Sequence, residues 1–478
     1  MLEKQSELQF SKELKITKTE IPGLVLIDIP VHGDSRGWFK ENYQKEKMEK
    51  LGLPEISVLQ NNISFNAKKG VTRGIHAEPW DKFISVGTGT VFGAWVDLRE
   101  GKNFGKVFTA KLDVSKAIFV PRGVANSFQA LEDNTVYTYL VNEHWSAEAQ
   151  SQYKFVNLAD ESLNICWPIS LDNSIISDKD KAHPKLENVE PMKPRKILVT
   201  GGNGQLGTAL RADFSDAEFT DYKELDITSP NLENERNWRQ YEAIINAAAY
   251  TNVDNAETPE GREVSWKINA KAVANLGKIA TKYGLTLIHI SSDYVFDGTK
   301  DIHDENEDFS PLSVYGQTKA AGDIAASQVP KHYIVRTSWV VGNGKNFVKT
   351  MKELSKKDVK PTVVNDQIGR LTFTEDLSKA IKHLIDTEPP YGIYNMSGDG
   401  EPVSWSEIAQ EVYKLSGKKA TDISGVSTEE YYAGKTGIAP RPPKSTLDLS
   451  KMKSTGFKPT DWRVSLKEYL KKENNKND

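Results

Sequence analysis

The pattern of hydrophobic and polar positions changes near residue 195. Up to about Trp167, short apolar or alternating runs are separated by Gly, Asp and Asn turns, which is typical of β-strands. We predict strands at 24–29, 91–96, 107–112, 118–120 and 135–141. In the last of these, alternation places Tyr137, Tyr139 and Val141 on one face. Evenly spaced short strands predict an all-β sandwich or barrel.

After residue 195, strand-like and helical patterns alternate. Strand-like runs lie at 196–200, 217–220, 243–247, 285–290 and 333–336, and helical patterns start at Leu206 and cover 256–282 and 314–327. This alternation predicts a doubly wound parallel sheet with helices on both faces. Residues 186–195 carry prolines and charges without periodicity, which indicates a linker. We therefore predict domains at 1–185 and 196–478, with residues 1–20 as a lead-in segment.

A glycine turn opens the second half. Gly201, Gly204 and Gly207 separate an apolar strand from a helix start. The first glycine permits a tight turn, the second lets the backbone approach a pyrophosphate, and the third lets the helix pack against the strand. Free N–H groups at the helix N-terminus then face the phosphates. The pattern predicts a dinucleotide site.

Asp221 follows the next strand-like run, where a carboxylate accepts a hydrogen bond from the adenosine ribose. Such a carboxylate repels the 2′-phosphate of NADPH, so we expect at least tolerance of NADH. The neighbouring Lys223 can offset this repulsion. The choice between NADP and NAD stays open.

Composition and charge indicate which partners the protein does not bind and which compartment it occupies. The formal net charge of −4 and the lack of a long basic run argue against a nucleic-acid partner. Cys166 is the single cysteine, which excludes an intrachain disulfide and agrees with a reducing compartment. No apolar run reaches the ~18 residues of a membrane span, and the N-terminus is polar. We expect a cytoplasmic protein with no membrane partner.

Polar motifs interrupt the strands of the first third in a fixed order. They are D-x-R-G-x-F-x-E at 34–41, Q-x-N-x-S at 60–64, R-G-I-H at 73–76, V-D-L-R at 96–99, F-G-K at 104–106 and V-P-x-G at 120–123. Over residues 20–185 this order resembles the dTDP-4-dehydrorhamnose 3,5-epimerase family. The resemblance implies a cupin-type jelly roll, usually dimeric and without a metal.

The resemblance also implies proton chemistry beside a ketone. Epimerisation requires a base, an acid and a cation that holds an enolate. By the resemblance His76 is the base, Asp180 orients its imidazole, Tyr139 is the acid and Lys82 faces the enolate oxygen. The implied sugar-nucleotide contacts are Arg36, Phe39, Glu41, Gln60, Asn62 and Arg73.

The second half carries three polar clusters where parallel strands end, the place where such sheets bind ligands. The clusters are N-A-A-A-Y at 246–250, S-S-D-Y-V-F at 291–296 and Y-G-Q-T-K at 315–319. Tyr315 and Lys319 lie one helical turn apart, so we expect the ammonium to lower the pKa of the phenol. Such a phenol can give a proton to a carbonyl oxygen that Ser292 also contacts.

Over residues 195–470 these clusters resemble the extended short-chain dehydrogenase/reductases and, within them, the dTDP-4-dehydrorhamnose reductase family. The resemblance implies Ser292, Tyr315 and Lys319 as the catalytic set and NADP or NAD as cofactor. The expected cofactor contacts are Gly201, Asn203, Gly204, Gln205, Leu206, Gly207, Asp221, Asp226, Ala247, Ala248, Ala249, Tyr315 and Lys319. The expected substrate contacts are Asp293, Trp339 and Arg370. A small C-terminal substrate cap is implied, with helices at 404–415 and 466–470 and a frayed tail at 471–478.

Several positions depart from the epimerase pattern. Asn126 stands where a His is usual, Ala77 and Glu78 replace an aromatic residue and Gln, and His144 interrupts an N-Y-Y run. In the reductase pattern, Arg370 precedes Leu-Thr where a small residue and proline are common. These departures leave the activity of the first domain open.

The two resemblances meet in one reaction sequence, because the epimerase product is the reductase substrate. We predict a bifunctional enzyme that makes dTDP-L-rhamnose from dTDP-4-dehydro-6-deoxy-D-glucose, as a homodimer formed through the jelly roll. One alternative is a monofunctional sugar-nucleotide reductase whose first domain only dimerises or holds substrate. Another is a nucleotide-binding protein without turnover, against which the intact Ser292, Tyr315 and Lys319 argue.

Overall fold

The structure is a computed structural model that describes residues 13–475. The chain divides into two compact units, the first ending at Pro194 and the second beginning at Arg195. The elements of the first unit are β1 (Lys15–Lys18), β2 (Val25–Asp28), β3 (His32–Asp34), β4 (Gly37–Phe39), α1 (Lys45–Lys50), β5 (Gln60–Asn66), β6 (Thr72–Ala77), β7 (Lys82–Thr88), β8 (Val91–Asp97), β9 (Val107–Leu112), β10 (Lys116–Val120), β11 (Val124–Ala130), β12 (Thr135–Val141), α2 (Ala147–Gln150), β13 (Lys154–Phe155) and α3 (Asp178–Lys181).

The first unit is built on two antiparallel sheets. One has six strands in the order β1-β2-β10-β7-β12-β5, and the other has five in the order β13-β6-β11-β8-β9. Side chains from both sheets meet in a common core, for example Ile84 and Ile118 from the first and Trp95 and Phe128 from the second. Burying one face of each sheet is what the alternating pattern requires.

The second unit alternates strands and helices. Its elements are β14 (Lys196–Thr200), α4 (Gln205–Asp213), β15 (Glu218–Thr220), β16 (Tyr241–Asn246), α5 (Pro259–Trp266), α6 (Ala272–Tyr283), β17 (Thr286–Ser292), α7 (Val314–Ser327), β18 (His332–Thr337), β19 (Val340–Val341), α8 (Phe347–Lys356), β20 (Thr362–Val364), β21 (Ile368–Gly369), β22 (Thr372–Phe373), α9 (Thr374–Thr387), β23 (Gly392–Asn395), β24 (Val403–Ser404), α10 (Trp405–Leu415), β25 (Ser424–Val426), α11 (Thr428–Tyr432), α12 (Ser450–Ser454) and α13 (Trp462–Asn475).

A parallel sheet of six strands, in the order β15-β14-β16-β17-β18-β23, forms the centre of this unit. Because successive side chains of a strand point to opposite faces, adjacent residues enter different cores. Leu198 packs against α6 on one face, whereas Val199 packs against α4 and α9 on the other. This is the Rossmann-type, doubly wound arrangement.

The segments after β18 add a third apolar cluster. It joins α8, α10 and α13 through residues such as Val348, Ile408 and Leu466. The amphipathic patterns at 404–415 and 466–470 thus belong to helices that pack together. The last helix continues to Asn475, so residues 471–475 are helical and not frayed as the polar sequence suggested; residues 476–478 lie outside the described part.

The sequence patterns missed several strands of the first unit. Residues 15–18 form a strand inside the expected lead-in, while residues 1–12 are not described. The stretches 60–66, 72–77, 82–88 and 124–130 are also strands. Each of them places at least one polar side chain at the wall of a cavity, namely Ser64, His76, Lys82 and Asn126, and these residues interrupt the apolar pattern on which the prediction depended. The predicted helix 256–282 is present but contains a π-helical turn at Lys267–Lys271.

Within residues 13–475, none of the helices combines the length and the apolar character needed to cross a bilayer.

Candidate active sites

Several strands and one helix of the first unit bring polar side chains into one cavity of about 530 Å³. We call it the sandwich cavity. Strand β6 supplies His76, the start of β7 supplies Lys82, β12 supplies Tyr139 and α3 supplies Asp180. Strand β11 lies between β6 and β8 and supplies Asn126. The expected epimerase set therefore shares one pocket.

A histidine–carboxylate pair forms one wall of this cavity. His76 Nε2 lies 3.0 Å from Asp180 Oδ1. The second carboxylate oxygen accepts a hydrogen bond from Gly74 N at 3.4 Å, and Ser177 Oγ caps α3 by accepting from Asp180 N. Burial alone raises the pKa of Asp180, but the hydrogen bond and charge of His76 bring it below its usual range. The ionised carboxylate fixes the ring and leaves Nδ1 as the nitrogen that can accept a proton.

A buried ammonium lies across the cavity. Lys82 is only 4% exposed, forms an ion pair with Glu78 and donates a hydrogen bond of 2.6 Å to Asn126 Oδ1. Burial lowers the pKa of Lys82, and the Glu78 carboxylate opposes that effect. Glu78 and Asn126, which both depart from the epimerase pattern, are thus the partners of Lys82.

Tyr139 lies beside the same ammonium. Lys82 Nζ is 5.5 Å from the centre of the Tyr139 ring. Burial raises the pKa of Tyr139, and the charge of Glu78 raises it further. The phenol is therefore protonated at neutral pH, which is the form that can act as an acid.

Only one of the six expected substrate contacts of the first unit lies at the wall of the sandwich cavity. Arg73 lines the sandwich cavity, and its Nε donates to Asn66 Oδ1. The others are absent from the cavity wall: Arg36, Phe39, Glu41, Gln60 and Asn62. The Arg36 side chain is 87% exposed and pairs with Asp34 on the β3–β4 hairpin, and Phe39 is 65% exposed. The contact of these five residues with substrate stays a prediction.

The second unit has a groove of about 490 Å³ at the carboxyl ends of β14, β15 and β16. Its wall includes expected cofactor contacts: Gly201, Gly204, Asp221, Asp226, Ala247, Ala248 and Ala249. Asn203, Gln205 and Leu206 are not part of the wall, and Leu206 packs into the core. The exposed Tyr222, which the motif did not single out, also lines the groove.

The glycines of the turn are required by close backbone approach. A Cβ on Gly207 would lie 2.2 Å from Gly201 O, and a Cβ on Gly201 would lie 2.7 Å from the Ala248 backbone. Gly201 also has a φ of +70°, which glycine adopts without strain. These contacts hold the N-terminus of α4 against the strand ends.

We expect Gly207→Ala to weaken dinucleotide binding about tenfold or more, because crowded insertions cost about 1–3 kcal/mol. The measurement is a fluorescence titration of the chain with NADPH and NADH. Gly277→Ala is the matched control, since a methyl group on this helical glycine would come no closer than 3.3 Å to Val329 Cγ2 and 3.5 Å to Ala325 O. Equal affinities of the two variants would contradict this account of the turn.

The three expected reductase residues lie next to the groove. Ser292 ends β17, beside the strand whose end lines the groove, and Tyr315 and Lys319 are buried on α7. Tyr315 packs with Tyr250, which follows the groove residue Ala249. The phenol of Tyr315 therefore lies near the dinucleotide groove, although Tyr315 and Lys319, both expected as cofactor contacts, are not part of its wall.

The expected effect of Lys319 on Tyr315 is wrong. Burial raises the pKa of Tyr315, and a hydrogen bond with Ser292 only partly opposes it. Lys319 Nζ instead donates a hydrogen bond of 2.6 Å to Ile290 O. Burial lowers the pKa of Lys319 itself to about 8, against the opposing charge of Asp323. Tyr315 is therefore a protonated phenol, ready to give a proton.

Asp293 lies beside the same serine. Its Oδ1 accepts a hydrogen bond from Ser292 Oγ at 3.0 Å, and burial raises its pKa to about 6. Its expected contact with substrate stays a prediction.

A second cavity of the unit, of about 420 Å³, has aromatic walls. We call it the aromatic cavity. Trp339 stacks on Trp405 with ring centres 3.8 Å apart, and Arg441 contributes a guanidinium. Tyr294 lines this cavity, and its ring also packs edge-on against the ring of the reductase residue Tyr315. Flat apolar walls and one cation suit a nucleotide base and its phosphates.

Arg370 is not in the aromatic cavity, contrary to the expected substrate contact. Its guanidinium is buried and donates to Gly398 O and Leu447 O, with Asp399 nearby. It therefore holds loops of the second unit together. Motif reasoning passed over Arg441 and Trp405 as site residues, although Arg441-Pro442 belongs to the reductase pattern.

Comparisons with known proteins divide the chain at the same place. Residues 18–188 match the family model of dTDP-4-dehydrorhamnose 3,5-epimerase, and residues 195–475 match that of the RmlD substrate binding domain. A protein RmlC homolog of Streptococcus pyogenes serotype M6 is 52% identical over 198 residues, 40% of this chain and 100% of the relative. A dTDP-4-dehydrorhamnose reductase of Aggregatibacter actinomycetemcomitans is 36% identical over 295 residues, 57% of this chain and 97% of the relative.

Solved structures of reductases are similar to the second unit. A dTDP-4-dehydrorhamnose reductase of Bacillus anthracis, crystallised in complex with NADP, has a TM-score of 0.54 and 34% identity and covers 58% of this chain and 99% of its own. A reductase of Clostridium acetobutylicum gives a TM-score of 0.53 with 38% identity, covering 58% of this chain and 98% of its own. The chain therefore belongs to the RmlD substrate binding domain family through residues 195–475 and to the dTDP-4-dehydrorhamnose 3,5-epimerase family through residues 18–188.

Proposed function

We propose that this chain carries out two consecutive steps of dTDP-L-rhamnose synthesis. The first unit epimerises C3 and C5 of dTDP-4-dehydro-6-deoxy-D-glucose, and the second reduces the C4 ketone of dTDP-4-dehydro-L-rhamnose with NAD(P)H. The observation that carries the proposal is the presence, on one chain, of a His–Asp pair facing Lys82 and Tyr139 and of a Ser–Tyr–Lys set beside a dinucleotide groove.

In the epimerase step, His76 removes the proton from a carbon next to the C4 ketone. The ammonium of Lys82 stabilises the enolate oxygen that forms, and the protonated Tyr139 returns a proton to the opposite face of the same carbon. Once His76 has released its proton to solvent and Tyr139 has taken one up, the same sequence at the second carbon completes the reaction. Arg73, at the cavity wall, is the cation for the diphosphate.

In the reductase step, a nicotinamide cofactor held at the groove would supply a hydride to C4. Gly201 and Ala248 suit this cofactor because their backbones approach more closely than a side chain would allow. Gly204 caps α4 without a side chain, so the helix N-terminus stays open to a pyrophosphate. Tyr315 gives its proton to the C4 oxygen, and Ser292 donates to the same oxygen. Lys319, whose Nζ donates to Ile290 O, lies one helical turn from Tyr315 and adds a positive charge near the site.

Asp221 bears on which dinucleotides the groove accepts. Its carboxylate lies at the groove wall, and Oδ2 accepts from Asn203 N at 3.3 Å. A negative charge there disfavours a 2′-phosphate, so NADH is accepted as well as NADPH. The relative with bound NADP supports the use of this cofactor class.

We further propose that the first unit folds as a cupin-type jelly roll and that the protein forms a homodimer through it. Strand β5 is an edge strand of its sheet and exposes Ile63 (69%) and Phe65 (58%). Exposed apolar side chains on an unpaired strand edge are typical of a protein interface. A separate proposal concerns the compartment. Because Cys166 is a free, single cysteine, we expect the protein to be cytoplasmic.

Turnover of the unepimerised 4-keto-6-deoxy sugar nucleotide with NADH or NADPH tests the proposal. NMR of the product sugar should give the L-rhamno configuration. A chain that consumes cofactor only after a separate epimerase is added would support the monofunctional reductase instead. The partners of Lys82 argue against that alternative, because Glu78 and Asn126 preserve its buried charge.

Glu78→Gln is expected to make epimerisation more sensitive to alkaline pH. Glu78 opposes the effect of burial on Lys82, so its removal lowers the pKa of Lys82 and the ammonium deprotonates at lower pH. The alkaline limb of the rate profile for C3 and C5 exchange should move toward neutrality. The exposed Glu132→Gln serves as the control; identical limbs in the two variants would refute the role of Glu78.

A further inference from the structure

A third titratable side chain lies against the His76–Asp180 pair. His183 follows α3, and its Nε2 is 3.9 Å from Asp180 Oδ1. One ligand atom from each of His76, Asp180 and His183 lies within 4.8 Å of the others. In the described part of the chain, these three form the one group of His, Cys, Asp and Glu side chains with such spacing.

The surroundings of His183 keep it neutral and fixed. Its side chain is 7% exposed and stacks on Phe155 with ring centres 4.7 Å apart. Burial lowers the pKa of His183, and the neighbouring His76 lowers it further. Within residues 13–475 neither ring nitrogen makes a well-formed hydrogen bond, although the Gly74 backbone is close enough to favour protonation. The proposed epimerase chemistry does not use this imidazole.

We propose that His76, Asp180 and His183 bind a divalent ion of the zinc class, and that this ion inhibits epimerisation. Two imidazoles and one carboxylate are a ligand set that Zn²⁺ accepts, with a further position open to water. Gly74 N already holds Asp180 Oδ2, which orients the other oxygen toward the two rings. The sandwich cavity gives the ion access to His76 and Asp180, which line its wall.

Inhibition follows from the proton count on His76, and this part of the inference rests on the proposed function. A neutral imidazole carries one proton and one lone pair. When Nε2 gives its lone pair to the ion, the proton resides on Nδ1, so neither nitrogen can accept a proton from the sugar. Reduction in the second unit should continue, since its described residues contain no comparable cluster.

Titration of the full chain with Co²⁺, followed by its visible absorption, tests the site without any activity assay. The wild type should give an intense tetrahedral spectrum that Zn²⁺ abolishes and Mg²⁺ does not. His183→Gln and His183→Phe, the second of which keeps a ring against Phe155, should bind Co²⁺ about 10–100-fold more weakly. His32→Gln removes an exposed histidine elsewhere and should bind like the wild type.

The activity arm uses deuterium exchange at C3 and C5 and, separately, reduction of pre-epimerised substrate. Zn²⁺ should suppress only the exchange in the wild type and should do so at least about tenfold less effectively in both His183 variants. Equal Co²⁺ affinity in the wild type and both His183 variants would overturn the site. Equal Zn²⁺ inhibition of both reactions would overturn the mechanism. Absence of exchange in metal-free wild type would instead refute the proposed function and leave the Co²⁺ result to decide the site.

Discussion

Replacement of His76 by alanine should abolish the uptake of solvent deuterium at C3 and C5 of the ketosugar. Loss of a general base costs roughly 10²–10⁴ in rate, and His76 is the imidazole that Asp180 orients in the sandwich cavity, at 3.0 Å. Reduction of pre-epimerised substrate by the same variant should stay at the wild-type rate. Mass spectrometry of the sugar nucleotide after incubation in D₂O measures the exchange.

The control for this variant is His144→Ala, which removes an exposed histidine of the same unit. It should exchange deuterium like the wild type. Exchange that persists in His76→Ala would assign the base to another residue. Loss of reduction together with exchange would indicate that the variant is misfolded, which thermal unfolding of the purified protein would reveal.

Tyr315→Phe should show the reverse pattern, with reduction lowered roughly 10²–10⁴-fold and deuterium exchange intact. The phenylalanine keeps the ring that packs edge-on against Tyr294, with centres 5.3 Å apart, so only the proton donor is removed. Cofactor oxidation with pre-epimerised substrate measures the effect. NADPH affinity, followed by fluorescence, should stay within about twofold because Tyr315 is not part of the groove wall.

Tyr283→Phe is the matched control for this loss. Its hydroxyl donates to Glu233 on a different part of the unit, and the variant should reduce the ketosugar normally. Undiminished reduction by Tyr315→Phe would mean that another group protonates the C4 oxygen.

The second unit was the easier half to predict from sequence. Its strands are buried on both faces, so runs such as 243–247 and 285–290 are mostly apolar and stand out. In the first unit the strands that build the cavity carry polar residues, and β5 and β6 were therefore interpreted as motif segments. The strand at Lys15–Lys18 has no apolar pattern because its residues are mostly exposed.

Motif residues were easier to predict than their electrostatic state. Sequence order brought His76, Lys82, Tyr139 and Asp180 to one cavity, but only the structure gives Glu78 and Asn126 as partners of Lys82. The contact with Asn126 joins β7 of one sheet to β11 of the other, and sequence spacing does not determine how the two sheets face each other.

The pKa of Tyr315 is another electrostatic property that the sequence did not predict correctly. Helical spacing predicted a neighbouring ammonium, but it could not predict that burial has the larger effect on the phenol. Arg370 was assigned to substrate by position in a motif, whereas three-dimensional packing directs its guanidinium to the carbonyls of Gly398 and Leu447. Burial and long-range contacts are properties of the folded chain and leave little trace in local sequence.

The central claim is that two separate pockets on one chain perform matched steps, and complementation between two inactive variants tests it most directly. His76→Ala and Tyr315→Phe, each incubated alone with the unepimerised ketosugar and NADPH, should form no L-rhamnose nucleotide. An equimolar mixture should form it, because each variant supplies the pocket that the other lacks. Formation of that product at the wild-type rate by His76→Ala alone would contradict the account.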